Sequence, residues 1–189
     1  MVEIDTLTLN PNPLVRALGK QPHEFTRHDI IRFVAEQDIP MLNLRYLGGD
    51  GRLKVLNFAI QSSAHLNRIL TMGERVDGSS LFNFVDATSS DLYVVPQLRT
   101  AFLNPFAEFP TLDIVCGFYD VEGNPLASSP QQILRKAQQA LEDETGCRLE
   151  ALGELEYYLF SPAEDLFPVE PQRGYHEASP FSKCEQVRI

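Results

Sequence analysis

Positive charge is scarce in this chain of 189 residues: 16 Lys and Arg stand against 26 Asp and Glu, a formal net charge of −10. That balance argues against a nucleic-acid groove or an anionic membrane surface as the main partner. Cysteine is scarce too. Cys116, Cys147 and Cys184 are odd in number and widely spaced, so they form neither a disulfide framework nor a zinc pattern, and they read as reduced thiols. No apolar run approaches the roughly 20 residues that span a bilayer. The acidic start Met1-Val2-Glu3-Ile4-Asp5 lacks the apolar segment of a secretory signal. A cytoplasmic location is the expectation, with no membrane and no nucleic acid among the partners.

Catalytic signatures are also few. His23, His28, His65 and His176 do not pair at metal-ligand spacing. No serine stands in a nucleophile elbow. Gly48-Gly49-Asp50-Gly51 lacks the Lys-Ser/Thr of a phosphate-binding loop and joins two expected strands. Cys116 lies in an apolar strand, where a thiol is buried and inert.

What is present is the composition of a folded domain: 43% hydrophobic and 22% charged residues, enough to bury a core without disulfides or a structural metal. Residues 1–25 read as an arm, with Asn10-Pro11-Asn12-Pro13 as turn chemistry. Thr26 and Asp29 predict a capping box, followed by the helical stripe Ile30, Phe33, Val34, which Pro40 ends. Leu42, Leu44 and Tyr46 alternate with Met41, Asn43 and Arg45, Gly48–Gly51 turn, and Val55–Ile60 return, predicting a hairpin. Ser62 or Ser63 caps a short helix bearing Leu66, Ile69 and Leu70. Strands are expected at Asp91–Val95, Thr100–Leu103 and Thr111–Tyr119. A helix begins at Ser129-Pro130-Gln131-Gln132, carries Ile133, Leu134, Ala137, Ala140 and Leu141, and closes on Gly146. A last strand is expected over about Arg148–Phe160. The proline-studded remainder, through Pro162, Pro168, Pro171 and Pro180, reads as a loop-like tail. The expected divisions are an arm (1–25), a small mixed sheet crossed by a helix (26–112), and the β-α-β opening of a second domain (113–189).

Two local patterns could carry chemistry. Glu154 and Glu156 are two apart on the expected last strand, so both would point to one face, their Cα atoms about 6.5–7 Å apart. A pair of divalent ions, Mg²⁺ or Mn²⁺, would relieve their repulsion. A solvated face is the other reading. Asp77-Gly78-Ser79-Ser80 can present a carboxylate and hydroxyls from a tight turn to a small cationic or hydrogen-bonding ligand. An ordinary turn is the other reading.

Taken in order, the segments resemble glutamine synthetase, the glutamate–ammonia ligase family. The resemblance runs from Arg75-Val76-Asp77-Gly78-Ser79-Ser80 through Ser90-Asp91-Leu92-Tyr93-Val94-Val95-Pro96, Thr100-Ala101 and Asn104-Pro105-Phe106. It continues at Tyr119-Asp120, Gly123-Asn124-Pro125-Leu126, Ser129-Pro130 and Leu134-Arg135-Lys136-Ala137. It reaches Glu154-Leu155-Glu156-Tyr157-Tyr158-Leu159-Phe160. Residues 26–60 fit the family's N-terminal β-grasp domain more loosely. Gly153 stands where the family usually has Pro, and Gln97 where it usually has Asp.

The resemblance implies an α+β chain: a β-grasp domain followed by a truncated portion of the family's catalytic α/β domain. It implies Glu154 and Glu156 as ligands of two divalent metals, Mg²⁺ or Mn²⁺, with ATP as a substrate. It implies Asp77 as the carboxylate that binds ammonium and takes its proton. Ser80 lies in the same pocket, Tyr175 of Gly174-Tyr175 closes it, and Asp91 is near the subunit interface. Glutamate, ammonium, ATP and further copies of the chain in a ring are the implied partners. The family's other metal carboxylates, its metal-binding His, nucleotide segment and substrate arginines lie further along than Ile189. The expectation is therefore an N-terminal part of a ligase, inactive by itself. A γ-glutamyl-amine ligase on the same scaffold and a non-catalytic β-grasp module that binds other subunits are the alternatives.

Overall fold

The computed structural model describes residues 6–86, 90–154 and 156. Two compact units divide the chain, residues 1–146 and 147–189.

In the first unit, Asn12 caps a short helix α1, Pro13–Leu18, which ends on Gly19 in the left-handed region. The expected arm is thereby tied in: Leu14 and Val15 are fully buried, and the Asn12 side-chain amide donates to the Ala101 carbonyl at 2.9 Å. A single 3₁₀ turn, Pro22–Glu24, leads to α2, Arg27–Glu36. Its capping box forms as the sequence predicts. Asp29 Nα–H donates to Thr26 Oγ1 at 3.2 Å, and Thr26 N–H donates to Asp29 Oδ2 at 3.0 Å. Ile30, Phe33 and Val34 are buried.

Strands β1, Met41–Leu47, and β2, Leu53–Ala59, pair antiparallel with Leu47 opposite Leu53 across the glycine turn. Ser62 caps α3, Ser63–Met72, which buries Leu66, Ile69 and Leu70. The chain then runs through β3, Glu74–Asp77; β4, Asp91–Pro96; β5, Phe102–Leu103; and β6, Thr111–Tyr119. Of the strand expected over Thr100–Leu103, only Phe102 and Leu103 pair, because residues 98–100 form a 3₁₀ turn.

The strand order is β2-β1-β6-β4-β3, with β5 also on β6. β6 is the central strand, parallel to β1 and antiparallel to β4. The domain limit expected after residue 112 runs through this strand. Leu42, Leu44 and Tyr46 from β1, Leu112, Ile114, Cys116 and Phe118 from β6, and Leu92 and Val94 from β4 join the helices in one core. Here α2 and α3 pack together and α3 lies on β4. This is the mixed sheet and crossing helix expected of an α+β, β-grasp chain. Burial pushes the Cys116 thiol far up, which leaves it protonated and inert as expected.

Helix α4, Pro130–Thr145, starts on Ser129 and ends on a left-handed Gly146 as predicted, but none of its residues is buried. The strand expected over Arg148–Phe160 does not form among the described residues: 147–154 and 156 lie in no strand. No ladder among the described residues includes this segment.

Candidate functional site

The Asp77 turn sits where two strands of the sheet end together. β3 pairs antiparallel with β4, and the last rung sets Asp77 opposite Asp91. Past that rung the chain closes into a 3₁₀ turn, Gly78–Ser80, with Asp77 as its cap. Gly78 N–H donates to the Ser90 carbonyl at 2.7 Å, stitching the turn to the start of β4. Only glycine fits there. A Cβ on residue 78 would lie 2.6 Å from Leu92 Cδ1 and 2.9 Å from the Ser90 carbonyl oxygen, and Leu92 is buried in the core. The turn is thus pressed against the sheet, and Asp77 is held at its exposed rim.

The hydrogen bonds are specific. Asp77 Oδ1 accepts from the Ser79 amide at 3.0 Å and from the Ser79 hydroxyl at 2.7 Å. Ser79 and then the Ser90 hydroxyl, together with the Ser79 and Ser80 amides, favour the ionised form and hold the carboxyl below its ordinary value. The Ser80 hydroxyl donates to the Asp77 backbone carbonyl at 2.8 Å, bracing the turn. Asp91, facing Asp77 across the rung, is paired with Arg75 at 3.1 Å. Like charges opposite one another on a ladder repel; the guanidinium relieves this and leaves Asp77 as the carboxylate held by neutral donors.

The structure therefore brings Asp77, Ser80 and Asp91 to one end of the sheet. The sequence reading included Ser79 in the turn motif without giving it a separate role, and it gave Ser90 none. The turn's Asp-x-Ser spacing is the signal for Ser79, since an Asp cap bonds the amide two residues on. Nothing local signals Ser90, which arrives through strand pairing.

Glu154 and Glu156 are exposed and lie outside any strand, so the one-face geometry expected of them is not formed. Among the described residues, no group of three or more His, Cys, Asp or Glu is gathered as a metal site. Tyr175 lies outside the described residues.

A second polar cluster lies on the sheet face opposite the core. Asp113 is fully buried, paired with Arg45 Nε, and accepts from Asn43 Nδ2 at 2.8 Å and Asn104 Nδ2 at 3.3 Å. Asn57 Nδ2 donates in turn to Asn43 Oδ1 at 2.6 Å. Every member has a partner, so the cluster fixes the registers of β1, β2 and β6. Among the described residues, no helix is long and apolar enough to cross a membrane.

Comparison with known proteins adds the following. Residues 38–121 match the family model described as the glutamine synthetase β-grasp domain. Glutamine synthetase of Staphylococcus aureus strain N315 is 25% identical over 169 residues, covering 87% of this chain and 37% of that one. The Staphylococcus epidermidis glutamine synthetase has the same identity and coverage. The chain thus spans 37% of the length of these curated relatives. A cryo-EM structure of Plasmodium falciparum glutamine synthetase superimposes with a TM-score of 0.54 at 18% identity, covering 64% of this chain and 23% of that one. A structure of GmaS in complex with ADP gives 0.52 at 11% identity, covering 60% and 25%.

Proposed function

The chain belongs to the glutamine synthetase family through the β-grasp domain of residues 38–121, and from that premise we propose that it is the N-terminal part of an ATP-dependent glutamate–ammonia ligase. The observation that carries this reading is the Asp77 turn: an exposed, ionised carboxylate set by strand pairing and neutral donors at the rim of that sheet.

In this reading a phosphoryl group passes from ATP to the γ-carboxylate of glutamate. The nitrogen nucleophile then attacks the γ-carbonyl, the C–N bond forms, and the bond from carbon to the phosphate oxygen breaks. Asp77 binds the incoming ammonium as its counter-charge and receives its proton as the nitrogen is released to attack. The hydrogen bonds from Ser79 favour the ionised form of Asp77, the form that binds a cation. Ser80 braces the turn. Asp77 would serve the active site of a neighbouring copy in a ring-shaped assembly.

Glu154 and Glu156 are the residues of this chain that would reach divalent metal ions, Mg²⁺ or Mn²⁺. Such ions take six or more oxygens, often with water. Two exposed carboxylates do not make that set, so no step is assigned through a metal. The 189-residue chain is accordingly proposed to be inactive by itself.

The test is glutamine formation from ATP, Mg²⁺, glutamate and ammonium, by the polypeptide carried to its natural stop codon and by the 189-residue chain. Activity in the former only, lost with Asp77→Ala, is expected. If neither forms glutamine but amines are accepted in place of ammonium, the enzyme is an amine ligase on this scaffold. If no nucleophile is accepted, the ligase reading fails.

A further inference from the structure

The Asp77 carboxylate does not hold its own orientation. Its side chain is exposed at the rim of the sheet, where a free carboxylate samples several rotamers. Two donors of one neighbour converge on one oxygen: the Ser79 amide at 3.0 Å and the Ser79 hydroxyl at 2.7 Å, both to Oδ1. Ser79 is itself fixed, because the turn that carries it is pinned to β4 by the bond from Gly78 N–H to the Ser90 carbonyl and by contact with Leu92. The Ser80 hydroxyl is committed elsewhere, to the Asp77 backbone carbonyl.

We propose that Ser79 is the positioning residue of this site: its hydroxyl and amide together lock the Asp77 carboxylate in one rotamer, so that a small cation meets preset charge. The proposal rests on the reading of Asp77 as the ammonium-binding carboxylate. Its consequence is a division of labour within the two serines. Ser79 sets the carboxylate, and Ser80 sets the backbone that carries it.

The charged groups near Asp77 agree with this. On β4, Asp91 stands opposite and is matched by Arg75 of β3 at 3.1 Å. Ser90 adds a second neutral hydroxyl. With Arg75 engaged by Asp91, the donors that orient Asp77 are uncharged and leave its full negative charge available to a ligand. The lowering of its pKa has the Ser79 hydroxyl as its largest cause.

The test has two arms. In the 189-residue chain, the Asp77 carboxyl is titrated by carbon-detected NMR in the wild type, Ser79→Ala and Ser79→Thr. The midpoint should rise in Ser79→Ala and stay low in Ser79→Thr, which keeps the hydroxyl. An unmoved midpoint in Ser79→Ala overturns the proposal. In the polypeptide carried to its natural stop codon, Ser79→Ala should raise KM for ammonium about threefold to tenfold, as the loss of one ordinary hydrogen bond would. KM for glutamate and ATP and kcat should hold, and Ser79→Thr should restore the ammonium KM. A uniform fall in kcat, unrescued by Thr, marks a merely structural residue and overturns the proposal. Asp77→Asn separates the two failures. If Asp77→Asn leaves glutamine formation intact, the ammonium reading is lost, while the titration still decides whether Ser79 sets the carboxylate.

Discussion

Asp29 shows how one buried carboxylate can join two segments that are separate in the sequence. Its side chain is 5% exposed. It accepts from Lys20 Nζ at 2.9 and 2.8 Å, and from the Thr26 amide at 3.0 Å and hydroxyl at 2.6 Å. The Lys20 bond, then the Thr26 hydroxyl, hold its pKa far below the ordinary carboxylate range against the opposing effect of burial. A folded-state value below the unfolded value of about 3.9 means that the stabilisation is complete above that pH. It is lost as the pH falls through the folded value. Asp29→Asn should cost about 1.5–3 kcal/mol at neutral pH, the range for hydrogen bonds to a charged group. The gap from wild type should narrow below about pH 4. Urea denaturation across pH 2.5–7 checks both points, and a gap constant with pH would refute the assignment. The Thr26–Asp29 half of this arrangement is legible in the sequence as a capping box. The Lys20 half is not, because it depends on where the chain before the helix returns.

Among the helices, α2 and α3 are held by burial and α4 by its ends. Ile30, Phe33 and Val34 of α2 and Leu66, Ile69 and Leu70 of α3 lie in the core. No residue of α4 is fully buried, and Ile133 and Leu134 are 56% and 65% exposed. What fixes α4 lies near its start: the Ser129 cap, Pro130 at the first helical position, and Gln131 Nε2 donating to the Cys116 carbonyl at 3.2 Å. Helices of this length are marginal in water without packing, so protection should decay from Gln131 toward Thr145. Native-state hydrogen exchange should find the last two turns of α4 exchanging well before α2 and α3. Equal protection along α4 would mean that a packing surface holds it. The sequence made this helix's limits plain, because Ser-Pro and Gly are local signals. It gave an apolar stripe but nothing to say what covers it, since periodicity reports a face and not a partner. The same limit applies to Glu154 and Glu156. Their spacing would give a shared face only on a strand, and the described residues do not form one there.

For the whole molecule, the decisive pairing is the one furthest apart in sequence: β1 beside β6, Met41 opposite Thr111, parallel. Hairpin and helix caps could be read locally, and so the β1–β2 turn, α2, α3 and the Asp77 turn were legible. The parallel rung and the centrality of β6 were not, because no neighbouring residues encode them. They follow from closing the core, and the core also decides the standing of the first 25 residues. Asn-Pro-Asn-Pro read as turn chemistry, yet Asn12 and Pro13 are a cap and a first helical residue, with Gly19 as the stop. The short run between them buries Leu14 and Val15 completely. Each such side chain is worth about 1.5–3 kcal/mol of burial, and the segment also supplies the Asn12 bond to Ala101 and the Lys20 pair with Asp29. Deleting residues 1–20 should therefore remove about 3–6 kcal/mol, a large share of a typical domain's 5–15 kcal/mol. A urea titration of this deletion beside the wild type, followed by circular dichroism, checks this expectation. If the N-terminal deletion unfolds at the wild-type midpoint, residues 1–20 are the free arm that their prolines suggested, and Leu14 and Val15 cover a core that closes without them.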